Sequence, residues 1–401
     1  MSKIIVEIFY IWKPMRKFSA DYIFTLDGES IKNGIVVTDD IGKILAITEE
    51  KAFSDPNIER FQGVIVPGFV NTHCHLELSH LHQKIKKGTG LIPFIKNVIG
   101  IRQEEEEKVM DAMKKADEQM FQNGIVAVGD IANQPISASV KEESKIKYHT
   151  FIEMLGFEAA KAEAAVAQAI KLQTHFQNSS SITPHAPYSL SKELLKNLNK
   201  FCREVNNPIS IHNQENEEEN FLYRYKDGAF MEFFKEMNIN VDGFKAQSKN
   251  SLQTIIPFLP ENQQILLVHN TYTSLKDIYF TKRFNRKINW CFCPNANLYI
   301  ENKLPSFEFF KHTDYPVTIG TDSLASNDEL CLLSEMKVLQ KNIDYLSFTK
   351  LLEWGTINGA KFLGLDDDLG TIAKGKTPGL NLISHLKNGK LTQESTVKKL
   401  I

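Results

Sequence analysis

From Val64 onward the chain alternates short apolar runs with helical segments eight times, and few architectures accept that pattern. The runs are VIVPGFV from Val64, GIVAVGDI (124–131), YHTFIEML (148–155), SSITPHA (180–186), PISIH (208–212), QILLVH (264–269), INWCFCP (288–294) and YPVTIGT (315–321). Helical patterns lie between them, over Glu104–Gln122, Ala159–Phe176, Ser191–Val205, Asn220–Met237, Asp328–Ile343 and Phe348–Leu363. Runs that are apolar throughout suit strands buried on both faces, which means a parallel sheet covered by helices. Eight strand–helix units are the count of a (β/α)8 barrel. Ahead of Val64 the texture is hairpin-like: DYIFTL before Asp27-Gly28, GIVVT before Asp39-Asp40, and KILAIT. The leading KIIVEIFYIWKP reads as an edge strand, since Glu7 interrupts it and no small-residue cleavage site follows. After Gly364 turn-rich, strand-like sequence returns (LGTIAKGKTPGLNLISHL). The expected fold is α/β, a (β/α)8 TIM-like barrel over 67–365. Residues 1–66 and 366–401 are expected to pack together as a small composite β-sandwich.

Barrel sites sit at the carboxyl ends of the strands, and there this chain places ionisable residues. The first strand ends on His73-Cys74-His75. Residues i and i+2 of an extended strand face the same side, so both imidazoles can aim at one point while Cys74 turns away. Two neutral imidazoles so placed are half of a divalent metal site, and zinc suits them. His212 closes PISIH, His269 closes QILLVH, and Asp322 follows YPVTIGT. Singly, each has a plainer explanation: a core histidine, or an aspartate capping the next helix. Their joint order at predicted strand ends argues for one site.

Zinc held by three histidines and an aspartate leaves room for water. Binding lowers that water's pKa from about 15.7 to roughly 7, which supplies hydroxide at neutral pH. Glu215, three residues after His212, can be swung over the metal by a turning chain and move protons to a substrate nitrogen. The competing explanation is that Glu215 simply belongs to the acidic run ENEEEN. His269 is either a fourth imidazole near the metal or a group stabilising the tetrahedral centre. Asp322 can both ligate metal and accept a proton. His185, in TPHAPYS, is expected to contact substrate, and Glu77 either touches substrate or braces a ligand.

Composition narrows the classes. The 401 residues are 42% hydrophobic and 24% charged with a formal net charge of −2, which argues against nucleic acid as the main partner. No run approaches the roughly 18 apolar residues of a membrane helix. The five cysteines are odd in number, lack zinc-knuckle spacing and suit a reducing compartment, so the expected location is cytoplasmic. Cys291 and Cys293 read as core thiols.

The segments PGFVNTHCHLE, HAPYS, IHNQE, VHN, CPNANLYI, IGTDSLASNDEL and LGTIAKGKTPGLNLI together resemble the amidohydrolase superfamily, and within it the mononuclear deaminase branch. That resemblance implies metal ligands at His73, His75, His212 and Asp322, a proton-shuttling Glu215, a substrate-polarising His269, and a substrate contact at Asn297. Binuclear members carry a carboxylated lysine after the fourth strand. SSSITPHAPYS has none, so one divalent ion is expected, with zinc first and Fe2+ or Mn2+ as alternatives. HLELS with KGTGLIPFIKNVIGIR is similar to aminodeoxyfutalosine and related purine-nucleoside deaminases. The expected function is therefore hydrolytic deamination of an aminated heterocycle, an adenine-containing nucleoside, with release of ammonia. The alternatives are a cyclic-amide hydrolase or chlorohydrolase on the same scaffold and, remotely, a non-catalytic binding protein. A small molecule is the expected partner, and a homodimer suits such barrels.

Overall fold

The computed structural model describes residues 15–49 and 55–401, so the edge strand expected over KIIVEIFYIWKP lies outside the described residues. Seven strands form one sheet: β1 (Arg16–Ile23), β2 (Ile31–Lys32), β3 (Gly34–Thr38), β4 (Ile44–Glu49), β5 (Ile58–Pro67) and, from the far end of the chain, β14 (Leu380–Ser384) and β15 (Thr396–Lys399). Their order is β15-β14-β5-β1-β3-β4, with β2 beside β1. All pairs are antiparallel except β1 with β5. Both chain ends are thus joined in one ladder, packed on a core that includes Phe18, Ile23, Ile65, Ile372 and Leu382.

A single glycine separates β5 from β6 (Phe69–Cys74), which starts the barrel. The Gly68 N–H donates to the Pro378 carbonyl (3.1 Å). A Cβ there would stand 2.6 Å from that same oxygen, so no larger residue fits the joint. The remaining barrel strands are β7 (Ile125–Ala132), β8 (Lys147–Met154), β9 (Ser179–Pro184), β10 (Ile209–Asn213), β11 (Gln264–His269), β12 (Lys287–Phe292) and β13 (Val317–Ile319). They pair in parallel as β6-β7-β8-β9 and β10-β11-β12-β13. The ladder is not continuous around the barrel. At the seam between β9 and β10 the Thr183 hydroxyl accepts from the Ser210 N–H (2.8 Å) and donates to the Ser210 carbonyl. At the seam between β13 and β6 the His73 carbonyl accepts from the N–H groups of Thr321 (3.1 Å) and Asp322 (3.0 Å). Side chains and strand-end backbone bridge the two four-stranded sheets at both seams.

The strands are buried on both faces, which explains their unbroken apolar runs. Ile265, Leu267, Ile288, Trp290 and Phe292 pack in the layer shared with the helices, alongside Met336 and Leu332. Leu266, Val268, Cys291, Cys293 and Phe151 belong to a second cluster, with Ala360, Phe362 and Leu363 of the last helix. All five cysteines are buried and unpaired.

Two expected helices divide. Asn220–Met237 becomes Glu217–Tyr225 and Ala229–Glu236, because Lys226 (φ 53°) and Gly228 (φ 93°) enter the left-handed region between them. Phe348–Leu363 becomes Phe348–Gly355 and Ile357–Leu363, broken where Thr356 leaves helical geometry and turns its hydroxyl onto the Leu352 carbonyl (2.6 Å). No helix among the described residues is long and apolar enough to cross a membrane.

Candidate metal centre and active site

The strand ends bring most of the sequence-predicted residues into one cluster. His73 lies in β6 and His75 one residue beyond it; His212 is in β10, and His269 ends β11. Asp322 follows β13. His75 Nε2 stands 3.2 Å from the Nε2 atoms of both His73 and His212. Asp322 Oδ1 lies 3.5 Å from His75 Nε2 and 3.7 Å from His73 Nε2. The ligand atoms of His73, His75 and Asp322 fall within 4.8 Å of one another, and so do those of His73, His212 and His269. Both readings of His269, as a further imidazole or as a group acting on substrate, remain compatible with that position.

The tautomers are set from behind. His212 Nδ1 donates to the His185 carbonyl (2.9 Å), leaving its Nε2 lone pair pointed inward. His269 Nδ1 donates to Asn297 Oδ1 (2.8 Å), and the Asn297 amide faces the His269 carbonyl (3.5 Å), which fixes that amide's orientation. Burial is the first cause that lowers the pKa of each imidazole in the cluster. It pushes His75 and His212 down to about 3 and His73 well below the usual range, with His212 and the other neighbouring imidazoles adding to the effect on His73. An N–H on one of these neutral rings can satisfy only one of its neighbours, whereas a cation in their midst can accept every inward lone pair. Imidazole nitrogen with one carboxylate oxygen is the donor chemistry of zinc and its first-row neighbours. The residues present therefore fit a divalent ion.

Glu215 reaches the cluster because Gln214 adopts φ 46°, which reverses the chain just past β10. That conformation is held by Thr273, whose hydroxyl donates to Gln214 Oε1 (2.7 Å), and by Glu219, which accepts the Gln214 N–H (3.1 Å). Glu215 Oε1 then lies 3.7 Å from His269 Nε2. Burial, then the carboxylates of Asp322 and Glu301, hold its carboxyl well above the usual range. His269 (φ 71°), Asn270 (φ 60°) and Asp322 (φ 57°) are also left-handed. For non-glycine residues such conformations carry strain on the order of 1 kcal/mol and gather at functional sites.

The remaining expected residues divide by position. His185, half-buried, hydrogen-bonds Ser189 Oγ (2.8 Å) through Nδ1 and borders the cluster beside His212. Asn297 is buried beside His269, where its amide oxygen accepts from Nδ1 and orients the ring. Glu77 accepts from the N–H groups of Asn133 (3.2 Å) and Gln134 (3.3 Å), so it braces the loop after β7; burial lifts its pKa to about 7.

Two features escaped the sequence. Asp130 Oδ1 accepts the Leu76 N–H (2.8 Å) while Oδ2 pairs with Lys141 Nζ (2.6 Å), both side chains buried, pinning the turn directly after His75. Glu153, inside β8, points a carboxylate at the cluster with Oε1 3.7 Å from His212 Nδ1. The only sequence signal for either was a lone carboxylate within an apolar run.

Known proteins share the sequence pattern and the fold. The sequence is similar to adenosine deaminase from Helicobacter pylori (27% identical over 351 residues, 84% of this chain and 83% of that protein). It is also similar to 5′-deoxyadenosine deaminase from Methanobrevibacter smithii (26% identical, 89% of this chain and 81% of that protein). The fold matches the crystal structure of Helicobacter pylori aminofutalosine deaminase in complex with methylthio-coformycin, with a TM-score of 0.77, 23% identity, and coverage of 94% of this chain and 93% of that one. The amidohydrolase family profile matches residues 64–400, more than four-fifths of the sequence. The chain belongs to the amidohydrolase family, metal-dependent hydrolases of carbon–nitrogen bonds.

Proposed function

We propose that the protein is a hydrolytic deaminase that removes the 6-amino group of an adenine nucleoside as ammonia. One observation carries the reading: a buried carboxyl, Glu215, stands 3.7 Å from His269 Nε2 at the rim of the imidazole–aspartate cluster. The adenine nucleosides named for the similar proteins support it. His73, His75, His212 and Asp322 would hold the divalent ion, zinc before Fe2+ or Mn2+, and that ion supplies Lewis acidity toward water.

The chain's own residues supply the rest. Water adds at C6, the C6–N bond breaks, and a C6 carbonyl and ammonia result. Glu215 takes one proton from the attacking water to a ring nitrogen, and the remaining proton of the new C6 hydroxyl passes to the departing amino group, which leaves as ammonia. Burial holds the Glu215 carboxyl above the usual range, which strengthens its hold on the proton between the two transfers. His269, with Nδ1–H spent on Asn297, presents a lone pair at Nε2 and orients the attacking oxygen by accepting its hydrogen bond. Asp322 Oδ2 is tied to the Ser326 hydroxyl (2.7 Å), leaving Oδ1 for the centre.

The division into a barrel over 67–365 and a composite unit of 1–66 with 366–401 belongs to the same proposal. So do a homodimeric state, a small-molecule substrate with no nucleic-acid or membrane partner, and a cytoplasmic location, the last supported by five free, buried thiols.

The test is ammonia release by zinc-reconstituted protein from adenosine, 5′-deoxyadenosine, aminodeoxyfutalosine, adenine, guanine and cytosine. Rapid release from one of the nucleosides is expected. Silence across the panel, with metal measured as bound, would overturn the reading in favour of a cyclic amide or carbon–halogen substrate.

A further inference from the structure

We infer that Glu153 is a specificity-determining residue, whose free carboxylate oxygen accepts a hydrogen bond from a sugar hydroxyl of the substrate. This rests on the adenine-nucleoside reading above. The Glu153 side chain is only 4% exposed. Its Oε2 accepts from Asn133 Nδ2 (2.9 Å), and Asn133 is itself fixed by Glu77, which accepts its backbone N–H. The carboxylate is therefore held in place through two relays. Its Oε1 has no hydrogen-bond partner. The nearest ring nitrogen, His212 Nδ1 at 3.7 Å, has already given its proton to the His185 carbonyl at 2.9 Å.

Ligand atoms of Glu153, His185 and His212 lie within 4.8 Å of one another, and Glu153 shares a strand face with Phe151, which packs with Leu266 and Val268 of β11, so the open oxygen stands beside His185 and His212 on the inner, β8–β10 side of the strands. A buried carboxylate oxygen without a donor is costly, and the structure holds it in that state by design of its neighbours. Substrate is the group that arrives with a donor. Adenine cannot be that donor: its ring nitrogens are acceptors, and its one donor, the 6-amino group, is the leaving group on the reacting carbon. The sugar of an adenine nucleoside carries hydroxyls, which donate. A fixed carboxylate beside the reaction centre therefore reads the sugar, not the base, and makes a nucleoside a better substrate than a free base.

The experiment compares kcat/KM for adenosine, 2′-deoxyadenosine, 3′-deoxyadenosine and 2′,3′-dideoxyadenosine on zinc-loaded wild type and Glu153→Ala, with bound metal measured for both. A hydrogen bond to a charged acceptor predicts that wild type loses about 10- to 100-fold when the recognised hydroxyl is removed. Glu153→Ala should show that loss on adenosine and no further loss on the deoxy analogue. Equal wild-type rates on all four nucleosides would overturn the inference without any variant. So would an equal fall on every nucleoside together with lost metal, since Glu153 would then act only by orienting His212. If wild type releases no ammonia from any nucleoside, the reading beneath it fails first and takes this inference with it.

Discussion

Gln214 decides where the proton-transfer group sits. A strand would carry Glu215 to the face opposite His212, and only the left-handed backbone at Gln214 turns it back toward the cluster. The His-x-x-Glu spacing was legible in the sequence; the reversal was not, because glutamine gives no signal for positive φ. What holds it comes from two other segments: Thr273, far along the chain, on Oε1, and Asn220 of the next helix, which accepts from Nε2 at 2.8 Å. Glu153 was illegible for a related reason, since one carboxylate in FIEML reads as strand interior until its neighbours are known. The chemistry at this scale makes a sharp prediction. Glu215→Gln preserves shape and removes the proton carrier, so it should keep bound metal while kcat falls by about 10²- to 10⁴-fold. His73→Ala should lose both metal and turnover. Near-wild-type kcat in Glu215→Gln, measured by ammonia release with metal content in parallel, would remove Glu215 from its role.

Elements with an uninterrupted period were readable from sequence. Glu106–Gln122 and Lys192–Phe201 lie where the 3.6-residue pattern put them, because a single apolar stripe packs on the strands. The helix Leu91–Ile101 was not read: Pro93 and Gly100 interrupt the pattern, and it enters from Gly90 at φ 81°. Pro294–Glu301 was hidden likewise, opening on a proline directly after a strand. Strand ends were legible because each carries an abrupt change from apolar to ionisable residues. How tightly neighbouring ends approach was not. At Gly320 an added Cβ would lie 2.8 Å from His73 Cβ and 2.9 Å from Cys293 Sγ, so β12, β13 and β6 converge there with no room to spare. Gly320→Ala should cost roughly 1–3 kcal/mol by overpacking and should weaken zinc binding as His73 is displaced. Denaturant midpoints and zinc titration check this, and an unchanged zinc affinity would mean the strands yield elsewhere.

At the scale of the molecule, the eightfold alternation already implied a ring of strand ends, and six of the candidate residues, His185 included, were placed on it from sequence alone. The closure itself could not be foreseen, since it depends on side chains from loops that no local pattern links. Glu335 is such a link. From the helix Leu332–Asn342 it accepts the Asn295 N–H (2.9 Å) and Asn327 Nδ2 (2.8 Å), and Asn327 also donates to the Thr321 carbonyl (2.8 Å) beside Asp322. The start of the helix after β12 and the loop after β13 are thereby tied to one buried carboxyl. Burial pushes the Glu335 pKa up to about 8 from 4.5. A raised carboxyl binds its proton more tightly in the folded state than in the unfolded one. Its contribution is therefore fully present below pH 4.5, erodes as pH rises, and is gone once pH passes about 8. The slope in that window is at most about 1.4 kcal/mol per pH unit. At saturating zinc, which removes ligand protonation from the comparison, thermal midpoints of wild type should fall between pH 5 and pH 8 more steeply than those of Glu335→Gln. The difference between the two profiles, not either alone, isolates this group. Parallel profiles would mean that Glu335 stays ionised when buried and that its two donors already stabilise the charge.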